Sequence, residues 1–231
     1  MGKETLIEKN VAIKDYMQHD APKDFDINSL IVLFGTSNSG KTSTLMDLVM
    51  LLTNARVRRY INTFLVDVNP KTGRNYYIDA MFIFKYKGLN IYLSTFGDTR
   101  YICERNCFFF ERKQELMKSN LIHVFDGKTI TTMDKLPTKI QNQYLKKKEY
   151  QPHICISACR TDGGPVDAMM YFSDKILPKV QNEIWLRKWR DPKHYEPKPI
   201  DNKPSIINVD DDKLAKEIKQ LLDRMINGKS I

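Results

Sequence analysis

The chain has 231 residues, 42% of them hydrophobic and 28% charged, which is enough apolar content to bury a core and too much for a disordered chain. Thirty-seven Lys and Arg against 28 Asp and Glu leave a net charge of +9, which favours phosphate-bearing partners without choosing among nucleotides, nucleic acid and lipid head groups. The richest apolar run, 45–52, is interrupted by Asp47, the first thirty or so residues are polar, Leu6 stands where a myristoylation motif needs Ser or Thr, and only four cysteines are present. No membrane span, secretory leader, lipid anchor or disulfide scaffold is expected, and a cytoplasmic, reducing setting is.

Residues 1–28 read as a polar entry segment with one short helix around Leu6–Tyr16. The run SLIVLF at 29–34 is continuously apolar, as in a strand buried on both faces. Residues 42–54 read as a helix, and FLVDV at 64–68 as a second strand. Two further strand-like runs, 78–86 and 90–95, flank a short polar link and predict an antiparallel hairpin. A helix over 99–118, a buried strand at 153–159, a helix over 166–177 and a half-buried edge strand at 183–189 follow. The polar, Lys-rich segment 119–150 reads as an excursion from the sheet, and the four prolines within 190–209 as a stiff connection without a regular element. Asp210–Asp212 then open an amphipathic helix whose stripe is Leu214, Ile218, Leu221, Leu222 and Met225, and Gly228 stops it. Strands alternating with helices predict an α/β fold with a mostly parallel sheet. The expected organisation is the entry segment 1–28, a nucleotide-binding domain over 29–190, and a connection and helix at 191–231 that pack on the same domain.

The most informative residues are Gly35, Thr36, Ser37, Asn38, Ser39, Gly40, Lys41 and Thr42, which fit G-x-x-x-x-G-K-[ST] without a mismatch. The two glycines let the backbone turn where a Cβ would obstruct it, and the N–H groups between them can form a nest for a β-phosphate. The following helix offers its positive end to the same anion, with Ser43 in its first turn. Lys41 is placed to reach the β- and γ-phosphates, and the Thr42 hydroxyl to serve as a ligand for Mg²⁺. A chain of this length meets the pattern by accident in roughly 1% of cases, and here a buried strand enters the loop and an apolar-striped helix leaves it. The sequence resembles the P-loop nucleoside triphosphatase superfamily. The resemblance is strict over the first strand–loop–helix unit and rests on the alternating pattern elsewhere, and it implies a P-loop fold binding ATP or GTP with Mg²⁺.

Phosphoryl transfer also needs a carboxylate near the metal, usually at a strand end. Asp67, Asp79 and Asp98 are the candidates, and Asp98 is preferred. It follows a strand and the hinge Gly97, where open α/β sheets place their ligands, although capping the 99–118 helix would explain it equally well. Arg160 emerges after the strand HICISAC, where it could stabilise charge developing on the γ-phosphate or simply face solvent on a glycine turn. The candidate catalytic set is therefore Lys41, Asp98 and Arg160, with Thr42 and Asp98 as the metal ligands.

P-loop, helix and hairpin together are also similar to the layout of small GTPases. Their D-x-x-G turn is replaced here by Ser94-Thr95-Phe96-Gly97, and the place of their guanine-reading N-K-x-D holds Cys159-Arg160-Thr161-Asp162, so only the Asp is kept. The pairing of S-T-F-G-D with S-A-C-R-T-x-G-G looks like small uncharacterised bacterial P-loop proteins, which implies a shared site rather than a known reaction.

Cys103/Cys107 and Cys155/Cys159 form two C-x-x-x-C pairs, better explained as core thiols on a helix and a strand than as a zinc site. The stretch Trp185–Arg190 and Lys146–Lys148 could hold nucleic acid through stacked bases and phosphate contacts, or form ordinary strand and surface positions. Arg56, Arg58 and Arg59 read as a solvated turn. Three functions stay open: hydrolysis of the nucleotide; transfer of its γ-phosphate to a small acceptor, with 119–150 as a substrate lid; and a nucleotide-binding module that meets a protein partner or nucleic acid. No membrane partner is expected.

Overall fold

A computed structural model describes residues 29–35, 39–97, 120–160, 165, 169, 182–188, 206–208 and 214–227. Strand β1 (Ser29–Gly35) is buried along its whole length, as its unbroken apolar run requires. It leads to α1 (Lys41–Leu52) and then α2 (Ala55–Phe64). The ribbon β2 (Val66–Val68) and β3 (Asn75–Tyr77) precedes β4 (Met81–Tyr86) and β5 (Leu89–Ser94). Next come β6 (Ile122–Phe125), β7 (Ile130–Thr132) and α3 (Thr138–Lys146). The chain is completed by β8 (Ile154–Arg160), β9 (Asn182–Lys188), β10 (Ile206–Asn208) and α4 (Leu214–Ile226).

The main sheet has eight strands in the order β10-β9-β1-β8-β5-β4-β6-β7. Strands β10, β9, β1, β8 and β5 run parallel; β4 is antiparallel to β5, β6 follows β4, and β7 reverses again. The expected α/β sandwich with a mostly parallel sheet and an antiparallel hairpin is thus present. Period-two alternation divides the core. Ile31, Leu33, Ile156, Ala158 and Leu186 face the layer built from α1, α2 and α4, whereas Leu30, Val32, Phe34, Cys155 and Trp185 face the opposite layer with Tyr144 of α3. Helix α4 lies against α1 and buries Leu214, Ile218, Leu221 and Leu222, the stripe visible in the sequence. The hairpin turn has Lys87 at φ 49° and Gly88 at φ 85°, two successive left-handed residues that match the twist of the flanking strands.

Four expectations are corrected. The strand expected at 64–68 is shorter: Phe64 ends α2, and the strand is Val66–Val68, which pairs only with β3 in a separate ribbon. Helix α2, which buries Val57 and Ile61 one turn apart, replaces the turn expected at Arg56–Arg59; the Asn54 side chain caps it by accepting from the Arg56 and Val57 N–H groups. Segment 119–150 is not an excursion, because β6 and β7 extend the main sheet beyond β4. Strand β9 is internal, covered on its outer side by β10 from within the proline-rich connection. The expected helices at Leu6–Tyr16 and 99–118 lie outside the described residues, as does that at 166–177 apart from the helical, buried Met169.

Candidate functional site

The site is built where β1 hands over to α1 at the C-terminal edge of the parallel strands. Gly35 ends β1, paired with Arg160 on β8 at one side and with Lys188 on β9 at the other. A Cβ on Gly35 would stand 2.5 Å from the Lys188 carbonyl oxygen and 2.7 Å from Ser39 Oγ, so only glycine allows this approach. Gly40, at φ 86°, precedes Lys41, the first residue of α1. Each glycine of the motif therefore has its own steric reason. Thr36, Ser37 and Asn38 lie outside the described residues.

Lys41 is only 5% exposed, and its ammonium donates to the Gly35 carbonyl at 3.1 Å, bridging the two ends of the loop. Ser39 is buried, and its Oγ finds no hydrogen-bond partner. A buried orphan hydroxyl at a helix N-terminus is costly unless a ligand completes it. The residues thus fit an anion: an ammonium, an unpaired hydroxyl and the first N–H groups of α1 lie at the same loop.

The carboxylate beside the loop is Asp79, in the link between β3 and β4. Thr42 Oγ1 donates to Asp79 Oδ1 at 2.9 Å, and Thr95 Oγ1 donates to the same oxygen at 2.9 Å. Thr95 is held in turn by the Ala80 N–H, which donates to its Oγ1 at 2.9 Å. Asp79 is half-buried, whereas Thr95 is fully buried just past the end of β5. A cleft of about 700 Å³ runs from Ser39–Ser43 along Asp79 to the ribbon β2–β3, where Asp67 and Tyr76 form its outer wall. Asp67 and Tyr76 are cross-strand neighbours, the Tyr76 hydroxyl donating to Asp67 Oδ2 at 3.2 Å. That hydrogen bond and the carboxylate charge push the Tyr76 hydroxyl above its ordinary range.

Of the three carboxylates weighed from sequence, Asp79 meets Thr42, Asp67 lines the cleft, and Asp98 lies outside the described residues. Gly97 is wedged against β8: a Cβ there would lie 2.6 Å from the Ala158 carbonyl carbon. Arg160 sits at the expected edge of the sheet, half-buried, on the face shared with α1 by alternation. Sequence reasoning named Thr95 in the turn after the hairpin and Lys188 in a basic stretch, but not the contact of Thr95 with Asp79 or the place of Lys188 beside the loop. Lys188 is 6% exposed, and its ammonium donates to Thr44 Oγ1 on α1. The only local sign of it was a lysine in phase with Ile184 and Leu186 on an apolar strand.

The surface suggested for nucleic acid fails at Trp185. Its ring is fully buried, edge-on to Phe34 with centroids 5.9 Å apart, and its indole N–H donates to Glu183 Oε1 at 2.6 Å. It cannot stack a base. Cys155 and Cys159 are buried thiols of the apolar core, and burial pushes the Cys155 thiol well above its usual range; Cys103 and Cys107 lie outside the described residues. Among the described residues no three His, Cys, Asp and Glu side chains gather as a metal cluster, and no helix is long and apolar enough to cross a membrane. The chain matches no known protein family, no functionally characterised protein and no solved structure.

Proposed function

We propose that the chain binds a nucleoside triphosphate with Mg²⁺ at the Gly35–Thr42 loop and hydrolyses it. The observation that carries this reading is the meeting of Thr42 and Asp79 beside a loop whose lysine and serine are buried. A hydroxyl and a carboxylate in contact at the rim of a cleft suit a hard, oxygen-seeking cation that keeps several waters and shares the rest of its shell with phosphate. Thr42 and Asp79 would hold Mg²⁺, which when bound supplies charge neutralisation at the β- and γ-phosphates. Lys41 would exchange the Gly35 carbonyl for phosphate oxygens, and Ser39 would gain the partner it lacks. Arg160, flanking Gly35 on β8, is positioned to oppose charge that grows on the γ-phosphate. Asp98 keeps a proposed part in orienting the attacking water.

Hydrolysis is favoured over transfer to an acceptor for a specific reason. The lid that transfer would need was assigned to 119–150, and β6 and β7 of that segment are bound into the far side of the sheet. Incubation with Mg²⁺ and γ-labelled ATP or GTP, with and without a mixed pool of small acceptors, tests the reading. Label released as phosphate without acceptor is the expected result. Label carried onto an acceptor makes the protein a kinase, and label retained on a bound nucleotide makes it a binding module. Binding and turnover in Lys41→Ala unchanged from wild type refute the nucleotide site altogether.

A further inference from the structure

Lys188 has no part in the site just proposed, yet it lies directly behind it. Register places it opposite Gly35, and its backbone carbonyl fills the space where Gly35 would carry a Cβ. Its side chain reaches Gly40: a Cβ there would lie 3.3 Å from Lys188 Cε and 3.4 Å from Nζ. The ammonium ends on Thr44 Oγ1, one turn into α1. Two lysines, 5% and 6% exposed, therefore occupy one loop, Lys41 in front and Lys188 behind.

Burying an ammonium costs several kcal/mol. Packing alone would be met by Met or Leu at this position, in line with Ile184 and Leu186. The charge of Lys188 also reaches Asp47, one turn beyond Thr44: desolvation raises the Asp47 carboxyl, and Lys188, followed by Arg58, pulls it back down. The field of Lys188 is thus felt along the first turns of α1, the part that faces the loop.

We infer that Lys188 is a positioning residue of the polyphosphate site, a second buried cation that strengthens the anion affinity of the loop from behind without touching phosphate. This rests on the nucleotide reading above and deepens it. The ligand class is a multiply charged phosphate chain: each added negative charge gains from both lysines, so triphosphate is preferred over monophosphate irrespective of the base. In a partly buried setting a unit charge within about 10 Å of another contributes at least about tenfold in affinity.

The test is Lys188→Met, read by the binding of Mg·ATP, Mg·GTP and inorganic tripolyphosphate to the full chain, together with the melting temperature without ligand. The expected result is at least a tenfold loss of affinity for all three in Lys188→Met, and recovery of most of the affinity in Lys188→Arg. Thr44→Val keeps the charge and removes the Thr44 acceptor, and should bind within about twofold of wild type. A lysine that merely props up the loop gives the opposite pattern. Lys188→Met and Thr44→Val would then both lower the melting temperature, with affinity unchanged or lost equally in the two; that pattern overturns the inference. If Lys188→Met does not fold, Thr44→Val decides alone, since affinity lost there assigns the effect to the hydrogen bond. Unchanged affinity in Lys188→Met beside its loss in Lys41→Ala overturns the role of Lys188 only. A wild type that binds none of the three probes overturns the nucleotide reading and this role with it.

Discussion

Thr42 and Asp79 stand 37 residues apart in the chain, and their side chains meet at 2.9 Å. Thr42 is fixed by the first turn of α1, and Asp79 by the link into β4, so the contact joins the Gly35–Thr42 loop to the hairpin. Asp79 also accepts from Thr95 at the end of β5. A ligand that takes Thr42 away from Asp79 thereby alters both ends of the hairpin.

Asp79→Asn should therefore weaken Mg²⁺-dependent nucleotide binding by about tenfold or more, because the amide keeps an acceptor for the two hydroxyls and loses the charge a cation needs. Titration of nucleotide binding with Mg²⁺ in Asp79→Asn and Asp98→Asn compares the two carboxylates directly. If Asp98→Asn loses the Mg²⁺ dependence and Asp79→Asn keeps it, the metal-holding role returns to Asp98.

Gly97→Ala should destabilise the protein by about 1–3 kcal/mol, the usual cost of forcing a methyl group into a packed contact. The contact is with backbone, at 2.6 Å from the Ala158 carbonyl carbon, so no side chain can turn aside to accommodate it. Urea unfolding measures the loss. An alanine variant as stable as wild type would mean that the turn after β5 moves freely away from β8.

The strand–loop–helix unit around Gly35–Thr42 was legible because its requirements are local: two glycines, a lysine and a threonine at fixed spacing between an apolar strand and a helix. Asp79 was one of three candidates but not the preferred one, because its contact with Thr42 spans 37 residues and Asp98 beside Gly97 offered a stronger local pattern. Helix α2 was hidden for a different reason. Its buried face is only Val57 and Ile61, closed by Leu65, and the apolar residues at its end read as the start of a strand. Strands β6 and β7 are four and three residues long, too short for period-two alternation to outweigh their polar surroundings. The internal position of β9 depends on β10, three residues that the nearby prolines concealed.

Asp223 ties α4 to the β4–β5 hairpin. Its Oδ1 accepts from the Tyr86 hydroxyl at 2.8 Å and meets Lys87 Nζ at 2.8 Å, while Oδ2 meets Lys219 Nζ at 2.7 Å. Desolvation raises the Asp223 carboxyl, and the hydrogen bonds from Lys219, Lys87 and Tyr86 outweigh it, so the group ends well below its ordinary range. Its stabilisation is complete above the ordinary carboxyl range and fades as pH falls towards the lowered value. These are partly exposed pairs, so Asp223→Asn should cost about 1 kcal/mol at neutral pH, reduced by added salt. Denaturant unfolding at pH 7 in low and high salt measures both quantities. A loss insensitive to salt would assign the effect to the neutral Tyr86 hydrogen bond.

His123 on β6 gives the opposite kind of pH dependence. It is 4% exposed, sandwiched between Phe82 and Tyr60, and its Nδ1 lies 3.1 Å from the Tyr60 hydroxyl. Burial lowers its pKa from 6.5 to about 4, against a smaller upward pull from Asp134. Between those two values the unfolded chain binds a proton that the folded chain refuses, so stability rises with pH across the window and is lost as pH falls from about 6.5 towards 4. Over two pH units this amounts to about 2–3 kcal/mol. His123→Gln cannot take up that proton, and its unfolding free energy should change by about 2 kcal/mol less between pH 7 and pH 5, since the window opens only below about 6.5. Parallel curves for the two proteins would mean that other groups carry the acid sensitivity. A flatter curve for the variant assigns it to the imidazole, which β6 buries because this strand belongs to the sheet and not to a lid.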